Sequence, residues 1–502
     1  MNIETNLRAF FYPQSLALIG ASNQQNKWGY RILDNVIRGK FQGKIFPINH
    51  KEKEICGLEA YPSINDVPGS VDLAVIAVPG KFVPRVIEDC VEKGVKAGIM
   101  ITAGFGEIGA EGKLLEKELA GVAREGGMVF SGPNCNGLTS TANNFYPAMV
   151  SIFPSKGVIS MVSQSGNIGT SILSRGVKNG IGFSKYVSSG NEACLKSEDF
   201  IEFFGEDPET ELIISYIEGI KDGRRFFEVC KKVSIKKPIL LFKAGGTDGG
   251  ARAVHSHTGS IAGAGDIFDA ACAQAGVLKC DNLDELFDVA TSLLRQPLPR
   301  GSKVGIVTSG GGWGALGSDS CERKGLTVAP ISKKSIGAID KILPPWWSKG
   351  NPIDLVAGTH QDRDKIFETC INTLLENNEA DSILMLGLGL VLELMERKKK
   401  DHVLSEIEKR MMAAEMRLAD VILRSLDKYG CPIITATDLN VHERPEENPL
   451  FKKLQEHQIL VFPDPDRAAA VLWAMYKRYR YLEKMGKSPQ PRKEPQPWKK
   501  KK

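Results

Sequence analysis

Two periodicities interleave along this chain. Short continuous apolar runs predict strands at Ser15–Ile19, Lys44–Ile48, Leu73–Val78, Ala97–Thr102 and Met128–Ser131. Between them apolar residues recur every three or four positions, as in Phe82–Lys93 and Lys113–Glu125, which predicts amphipathic helices. Strands that alternate with helices imply βαβ units and a parallel sheet. The pattern stops near Pro133, and Tyr146–Lys156 reads as a connector. It restarts with strands at Gly157–Val162, Gly182–Val187, Glu211–Ile217, Pro238–Lys243 and Val277–Lys279. Helices at Asn167–Asn179, Asp222–Val233 and Ser260–Ala275 lie between them, and Asn282–Leu294 closes the set.

Proline marks a boundary in Gln296–Gly301. A third set follows: Lys303–Thr308, a glycine turn at Gly310–Gly314 with a helix to Lys324, then strands at Leu326–Val328, Ser382–Leu386, Pro432–Thr437 and Leu460–Phe462, with a closing helix at Asp464–Glu483. Leu394–Tyr429 is rich in Glu, Lys, Arg, Met and Leu and reads as a long charged helix or helical pair with a solvated face. The fold class expected is therefore α/β, three open α/β domains in series, at residues 1–145, 146–297 and 298–485.

Composition narrows the function classes. At 502 residues the chain is too long for one core. The net charge of +5 comes largely from the Pro- and Lys-rich tail, residues 486–502, which is expected to be disordered. Charge elsewhere is near balance, so nucleic acid is not an expected partner. Ten cysteines are scattered without a C-x-x-C pair, which fits reduced thiols in a cytoplasmic protein and gives zinc no support. The start of the chain lacks a signal-peptide shape, and no apolar run reaches the roughly 20 residues that cross a membrane.

Candidate chemistry gathers at glycine-rich turns between a strand and a helix, where free backbone N–H groups favour an anion. The first is Leu18–Asn23, running on to Lys27-Trp-Gly29 and including Gly20 and Ser22. Its glycines lack the G-x-G-x-x-G spacing. The second predicted strand ends in Asn49-His-Lys51, where an NAD site needs an acid; Lys51 suits a phosphorylated ribose, as carried by NADP or by coenzyme A. Val78 and Pro79, and Thr102 and Gly104, end the next two strands and border the same expected crevice. A second cradle is Ser163–Asn167, with Ser165 and Gly166 at the helix start. The third feature is the small-residue stretch Ala251–Gly265, which holds His255, His257 and Gly259. Such a loop can move, and a neutral imidazole on it can take a phosphoryl group if a carboxylate orients its other nitrogen. Glu218, at the end of a neighbouring strand, is one candidate and Asp222 a rival. Neither a G-x-S-x-G elbow nor a G-x-x-x-x-G-K-[ST] loop is present.

Taken in order, S-L-A-L-I-G-A-S (15–22), I-F-P-I-N (45–49), the G-P-N-C of Gly132 to Cys135, S-Q-S-G (163–166), Y-I-E-G-I-K-D-G-R-R-F (216–226), S-H-T-G-S (256–260) and the G-N-P-I-D-L of Gly350 to Leu355 resemble the nucleoside-diphosphate-forming acyl-CoA synthetases, the superfamily of succinyl-CoA synthetase. The resemblance implies an α-type subunit: a Rossmann-like CoA-binding domain followed by two flavodoxin-like, succinyl-CoA synthetase-like domains. It implies that Gly20, Ser22, Lys27, Lys51, Val78, Pro79, Thr102 and Gly104 border coenzyme A. It places the phosphorylated histidine at His257, the orienting acid at Glu218, the phosphate site at Ser165, Gly166 and Gly259, and Asn134 beside an acyl phosphate. ATP or ADP, with Mg2+, is expected on a separate β-type ATP-grasp subunit, in a heterotetramer. Leu138–Asn144, Gly246, Trp313 and Leu394–Tyr429 depart from the pattern and leave the carboxylic acid open. Two further readings are a CoA-binding regulatory protein without turnover and an NADP-dependent oxidoreductase.

Overall fold

A computed structural model describes residues 3–247, 249–250, 252, 265–355, 362–392, 403–441 and 448–488. The chain divides into two compact units that meet between Leu283 and Asp284.

The first unit holds two sheets. Helix α1 (Ile3–Phe11) precedes β1 (Ser15–Ile19), α2 (Trp28–Arg38) and β2 (Lys44–Ile48). A short ribbon of β3 (Glu54–Ile55) and β4 (Leu58–Glu59) follows. Then come β5 (Leu73–Ile76), α3 (Val83–Glu92), β6 (Ala97–Met100), α4 (Ala110–Glu125) and β7 (Val129–Ser131). The sheet is parallel throughout, in the order β2-β1-β5-β6-β7. Every residue of β1, β5 and β6 is apolar or small, and all are buried. Helices on both faces of a parallel sheet require this, since neither face meets water.

The second sheet takes β8 (Leu138–Ser140), β9 (Lys156–Ser163), β10 (Phe183–Ser188), β11 (Leu212–Ile217), β12 (Ile239–Lys243) and β13 (Val277–Cys280), in the order β13-β12-β11-β9-β10-β8. Only β8 runs antiparallel, pairing Leu138–Ser140 with β10. The chain therefore crosses to the second sheet seven residues before the expected boundary at 145, through a strand that the hydrophobic pattern does not announce. Helices α5 (Gly166–Lys178), α6 (Ser197–Glu206) and α7 (Gly223–Ser234) pack on this sheet, with a further helix at Gly265–Ala275.

One apolar core runs through both sheets of this unit. Phe10 and Phe11 of α1 reach across to α6: Phe10 lies 5.6 Å from Phe200, and Phe11 stacks on Phe203 at 5.2 Å. Beside them sits a buried ion pair. Lys185 Nζ, fully enclosed, bonds Asp207 at 2.7 Å and Glu209 at 3.2 Å, and the Tyr12 hydroxyl donates to Glu209 at 2.8 Å. The charge is buried but met by two carboxylates, which offsets its desolvation.

The second unit carries a parallel sheet of β14 (Val304–Thr308), β15 (Ile353–Asp354), β16 (Ser382–Leu386), β17 (Ile433–Ala436) and β18 (Val461–Phe462), ordered β15-β14-β16-β17-β18. Its first helix, Gly311–Lys324, starts in the predicted glycine turn. The helix Leu283–Arg295 belongs here from Asp284 onward. Arg467 grips its Asp288 with two bonds of 2.7 and 2.9 Å.

Two readings change. Leu326–Val328 is not a strand: Lys303 and Thr327 form an isolated bridge. Leu326 is buried because it follows the left-handed Gly325 that ends the preceding helix, and its N–H bonds Cys321 O. Of Leu394–Tyr429, residues 394–402 lie outside the described residues, and Glu406–Tyr429 is a single helix whose Ala414, Leu418, Ala419, Val421, Ile422 and Leu426 are buried. It is a core helix with one charged face, not a solvated run.

Candidate active site

The parallel strands of all three sheets share one order, with the first between the second and the third. In such a sheet the connections leave in opposite directions from the first and third strands, which opens a crevice beyond their carboxyl ends. The described residues among those predicted lie at or just beyond strand ends.

In the first sheet the crevice lies beyond β1 and β5. Gly20 follows β1 with φ +93°, and a Cβ there would stand 2.4 Å from Ala77 O. Gly29, in the first turn of α2, would place a Cβ 2.0 Å from Gly20 O. Two glycines thus let a helix start lie directly on the end of a buried strand. Lys27 caps α2 in an extended conformation and makes no side-chain cap bond; Tyr30 N bonds Lys27 O, which leaves the Trp28 and Gly29 N–H groups to face an anion. Ser22 is buried, and its hydroxyl accepts from Gln24 N. Lys51 is exposed beyond β2, on a turn that Asn49 organises by accepting from the N–H groups of Lys51 and Glu52.

Val78 and Pro79 lie just beyond β5, and the Thr102 hydroxyl donates to Val78 O at 2.7 Å. Gly104 is engaged differently from expectation. Its N–H is taken by the Glu107 carboxylate at 2.5 Å, so it is not open to a ligand. Burial works to raise the Glu107 pKa, but this N–H and others hold it below the ordinary carboxylate range.

A second crevice, with a volume of about 660 Å³, lies beyond β9 and β11. Asn134, Ser165, Gly166 and Glu218 all line it. Ser165 caps α5 by accepting from Ile168 N. A Cβ at Gly166 would stand 2.4 Å from Asn136 Cγ, so the helix start is pressed onto that side chain. Glu218 is buried, with the Tyr216 hydroxyl 3.5 Å from its carboxylate. Burial, then Glu218, pushes the Tyr216 phenol up to about 12. The rival acid, Asp222, is spent on capping α7, where it accepts from Arg225 N at 2.9 Å. His255, His257 and Gly259 lie outside the described residues.

Several residues at this crevice carry no signal in the hydrophobic pattern. Gln164 clamps the Glu218 loop: its Oε1 accepts from Glu218 N at 2.6 Å and Gly219 N at 3.1 Å, while its Nε2 donates to Gly219 O at 2.7 Å. This one amide fixes the carboxylate loop against the α5 start. Asn134, at φ +57°, takes Thr102 O with its own N–H, and its side chain donates to Asn191 Oδ1 at 3.3 Å. Asn191 in turn donates to Glu107 and Glu116 at 2.5 and 2.7 Å. A chain of bonds therefore links the end of β5, through Thr102 and Asn134, to the second crevice. Lys113, Lys117 and Arg124, spaced four and seven apart on α4, line one wall. Cys135, beside Asn134, is packing rather than a nucleophile: burial pushes its thiol up to about 12.

Three known families match the chain in succession. A CoA binding domain matches residues 14–141, a succinyl-CoA ligase like flavodoxin domain residues 156–293, and a ligase-CoA domain residues 304–486. The ADP-forming acetate–CoA ligase I subunit alpha of Pyrococcus furiosus is 38% identical over 485 residues, 95% of this chain and 99% of the relative. The corresponding ligase II subunit alpha from the same organism is 43% identical over 376 residues, 75% and 81% of the two chains. Acetyl-coenzyme A synthetase 1 of Ca. Korarchaeum cryptofilum, solved in complex with phosphate and ADP, is 32% identical, covers 95% of this chain and 98% of its own, and superposes with a TM-score of 0.80. At this identity and coverage, the chain belongs to the ADP-forming acetate–CoA ligase α-subunit family, in the succinyl-CoA synthetase superfamily.

Proposed function

We propose that this chain is the α-type subunit of an ADP-forming acyl-CoA synthetase, which interconverts acyl-CoA, ADP and phosphate with a carboxylic acid, CoA and ATP. The observation that carries the reading is the convergence of a carboxylate, Glu218, and an open helix start, Ser165–Gly166, on one crevice, fastened together by Gln164. In this reading CoA lies along the first crevice, bordered by Gly20, Ser22, Lys27, Lys51, Val78, Pro79 and Thr102. The bonds from Val78 through Thr102 to Asn134 support delivery of the thioester to the second crevice.

Phosphate oxygen attacks the thioester carbonyl carbon. The C–S bond breaks, and CoA leaves as the thiol, carrying the proton that phosphate gives up. The acyl phosphate then meets His257. An imidazole nitrogen attacks phosphorus, the acyl–O–P bond breaks, and the carboxylate departs. Glu218 holds the other imidazole nitrogen, and the N–H groups at Ser165–Gly166, with Gly259, hold the phosphoryl oxygens. An ADP oxygen finally takes the phosphoryl group as the P–N bond breaks. The nucleotide and its Mg2+ are assigned to a β-type ATP-grasp partner in a heterotetramer. The names of the relatives, which are alpha subunits, support a partner chain. No helix among the described residues is long and apolar enough to cross a membrane, and all ten cysteines are free thiols, which supports a cytoplasmic place for the enzyme.

The test is radiolabelled ATP with the partner subunit. Acid-labile phosphate is expected on His257 and is expected to vanish in His257→Asn. A His257→Asn chain that still labels rejects the reading.

A further inference from the structure

The second crevice contains a cation that the steps above leave unused. Lys221 stands three residues beyond Glu218 on the same loop and lines the crevice. Its Nζ donates to Asn191 O at 2.6 Å and Glu192 O at 3.2 Å. Both acceptors are neutral carbonyls, and among the described residues no carboxylate forms an ion pair with it. An ammonium has three donors, so one N–H remains available, with a positive charge that Glu192 and Glu116 attract without pairing with it. The two carbonyl bonds fix where the charge sits, since the Asn191–Glu192 turn is itself anchored: Asn191 N bonds Pro133 O, and Ala193 N bonds Gly132 O. The side chain reaches water in the crevice, yet enough protein surrounds it that desolvation lowers its pKa, against the opposing pull of Glu192 and Glu116.

Lys113, Lys117 and Arg124 of α4 also line the crevice, but Lys221 is the cation on the Glu218 loop itself. A phosphate entering beside Ser165–Gly166 approaches the carboxylates of Glu218, Glu192 and Glu116, all in the same lining. Like charges at this range repel. The α5 start offers partial positive charge, and a lysine supplies a full point charge to a phosphate oxygen. We propose that Lys221 is a phosphate-binding residue of this crevice, holding the incoming inorganic phosphate and offsetting its repulsion from Glu218. The inference rests on the reading of the crevice given above.

The test is a calorimetric titration of the full-length chain with inorganic phosphate, run beside a CoA titration and a thermal melt. Lys221→Gln is expected to weaken phosphate binding about tenfold or more. CoA affinity and melting temperature are expected to stay within error of the wild type. Lys221→Arg is expected to recover most of the phosphate affinity, while Lys117→Gln, on α4, loses about twofold at most. Wild-type phosphate affinity in Lys221→Gln overturns the inference and leaves the proposed function standing. Joint loss of phosphate, CoA and melting temperature also overturns it, because the lysine is then only a loop clamp. A wild-type chain that takes up no phosphate, and no label on His257 with the partner present, removes the inference and the proposed function together.

Discussion

At the scale of single residues, the crevice depends on close approaches that only certain side chains allow. Gly166 shows this most directly. Its would-be Cβ meets Asn136 Cγ at 2.4 Å, and Asn136 is itself held, with its Nδ2 3.5 Å from Thr170 Oγ1 and its carbonyl accepting from Met149 N. Gly166→Ala is expected to cost about 1–3 kcal/mol in denaturant unfolding and to weaken phosphate binding more than CoA binding, because the displaced groups sit at the α5 start. Unchanged phosphate affinity would show that the helix start is not the anion cradle. Glu218 is legible in the sequence, as an acid one step beyond an apolar strand. Gln164, Asn191 and Lys221 are not. Their roles come from contacts between loops 30 to 57 positions apart, such as Lys221 with Asn191 and Gln164 with Glu218, and no local pattern encodes them.

Elements follow the hydrophobic pattern where they are long, and two short strands, β8 and β15, escape it. β1, β5 and β6 are continuous buried runs, and α2, α3, α5 and α7 have one apolar face each. β8 and β15 have three and two residues, too few positions to show a period. The helix Glu406–Tyr429 misleads in the other direction. Its charges advertise solvent, yet Glu415 is fully buried and accepts from Gly389 N at 3.1 Å and Leu392 N at 2.7 Å. Leu418→Ala is expected to destabilise the second unit by about 2–5 kcal/mol, as for other core leucines. Arg410→Ala, on the exposed face, is expected to change unfolding by less than about 0.5 kcal/mol. Equal effects at the two positions would contradict a core role for this helix.

Over the whole molecule, buried carboxyls couple the fold to pH. Glu198, at the start of α6, is 2% exposed, and its pKa is raised from 4.5 to about 7. Burial is the main cause, with Glu192 and Asp199 adding to it and Lys196 opposing. The folded chain therefore binds a proton at pH values where the unfolded chain has lost it. The stability contributed by this proton is fully present below pH about 4.5 and is lost as pH rises through about 7. Glu198→Gln removes the dependence, so it is expected to gain about 2–3 kcal/mol on the wild type between pH 4.5 and 7.5 in denaturant unfolding. Parallel stability curves for the two proteins would rule this out. The effect belongs to the first unit, where one core joins two sheets and α6 packs against both α1 and α7.

The amino-acid sequence alone determined the alternation of strands and helices, the glycine-bearing turns that start α2 and α5 and the position of the acid after β11, because periodicity and backbone conformational preference act over a few neighbouring residues. Only the tertiary structure decided which loops share a crevice, that Asp222 is spent on a helix cap while Glu218 lines a crevice with the α5 start, and that Lys221 there forms no ion pair with a described carboxylate. Those outcomes depend on strand order, and strand order is set by burial summed over whole sheets.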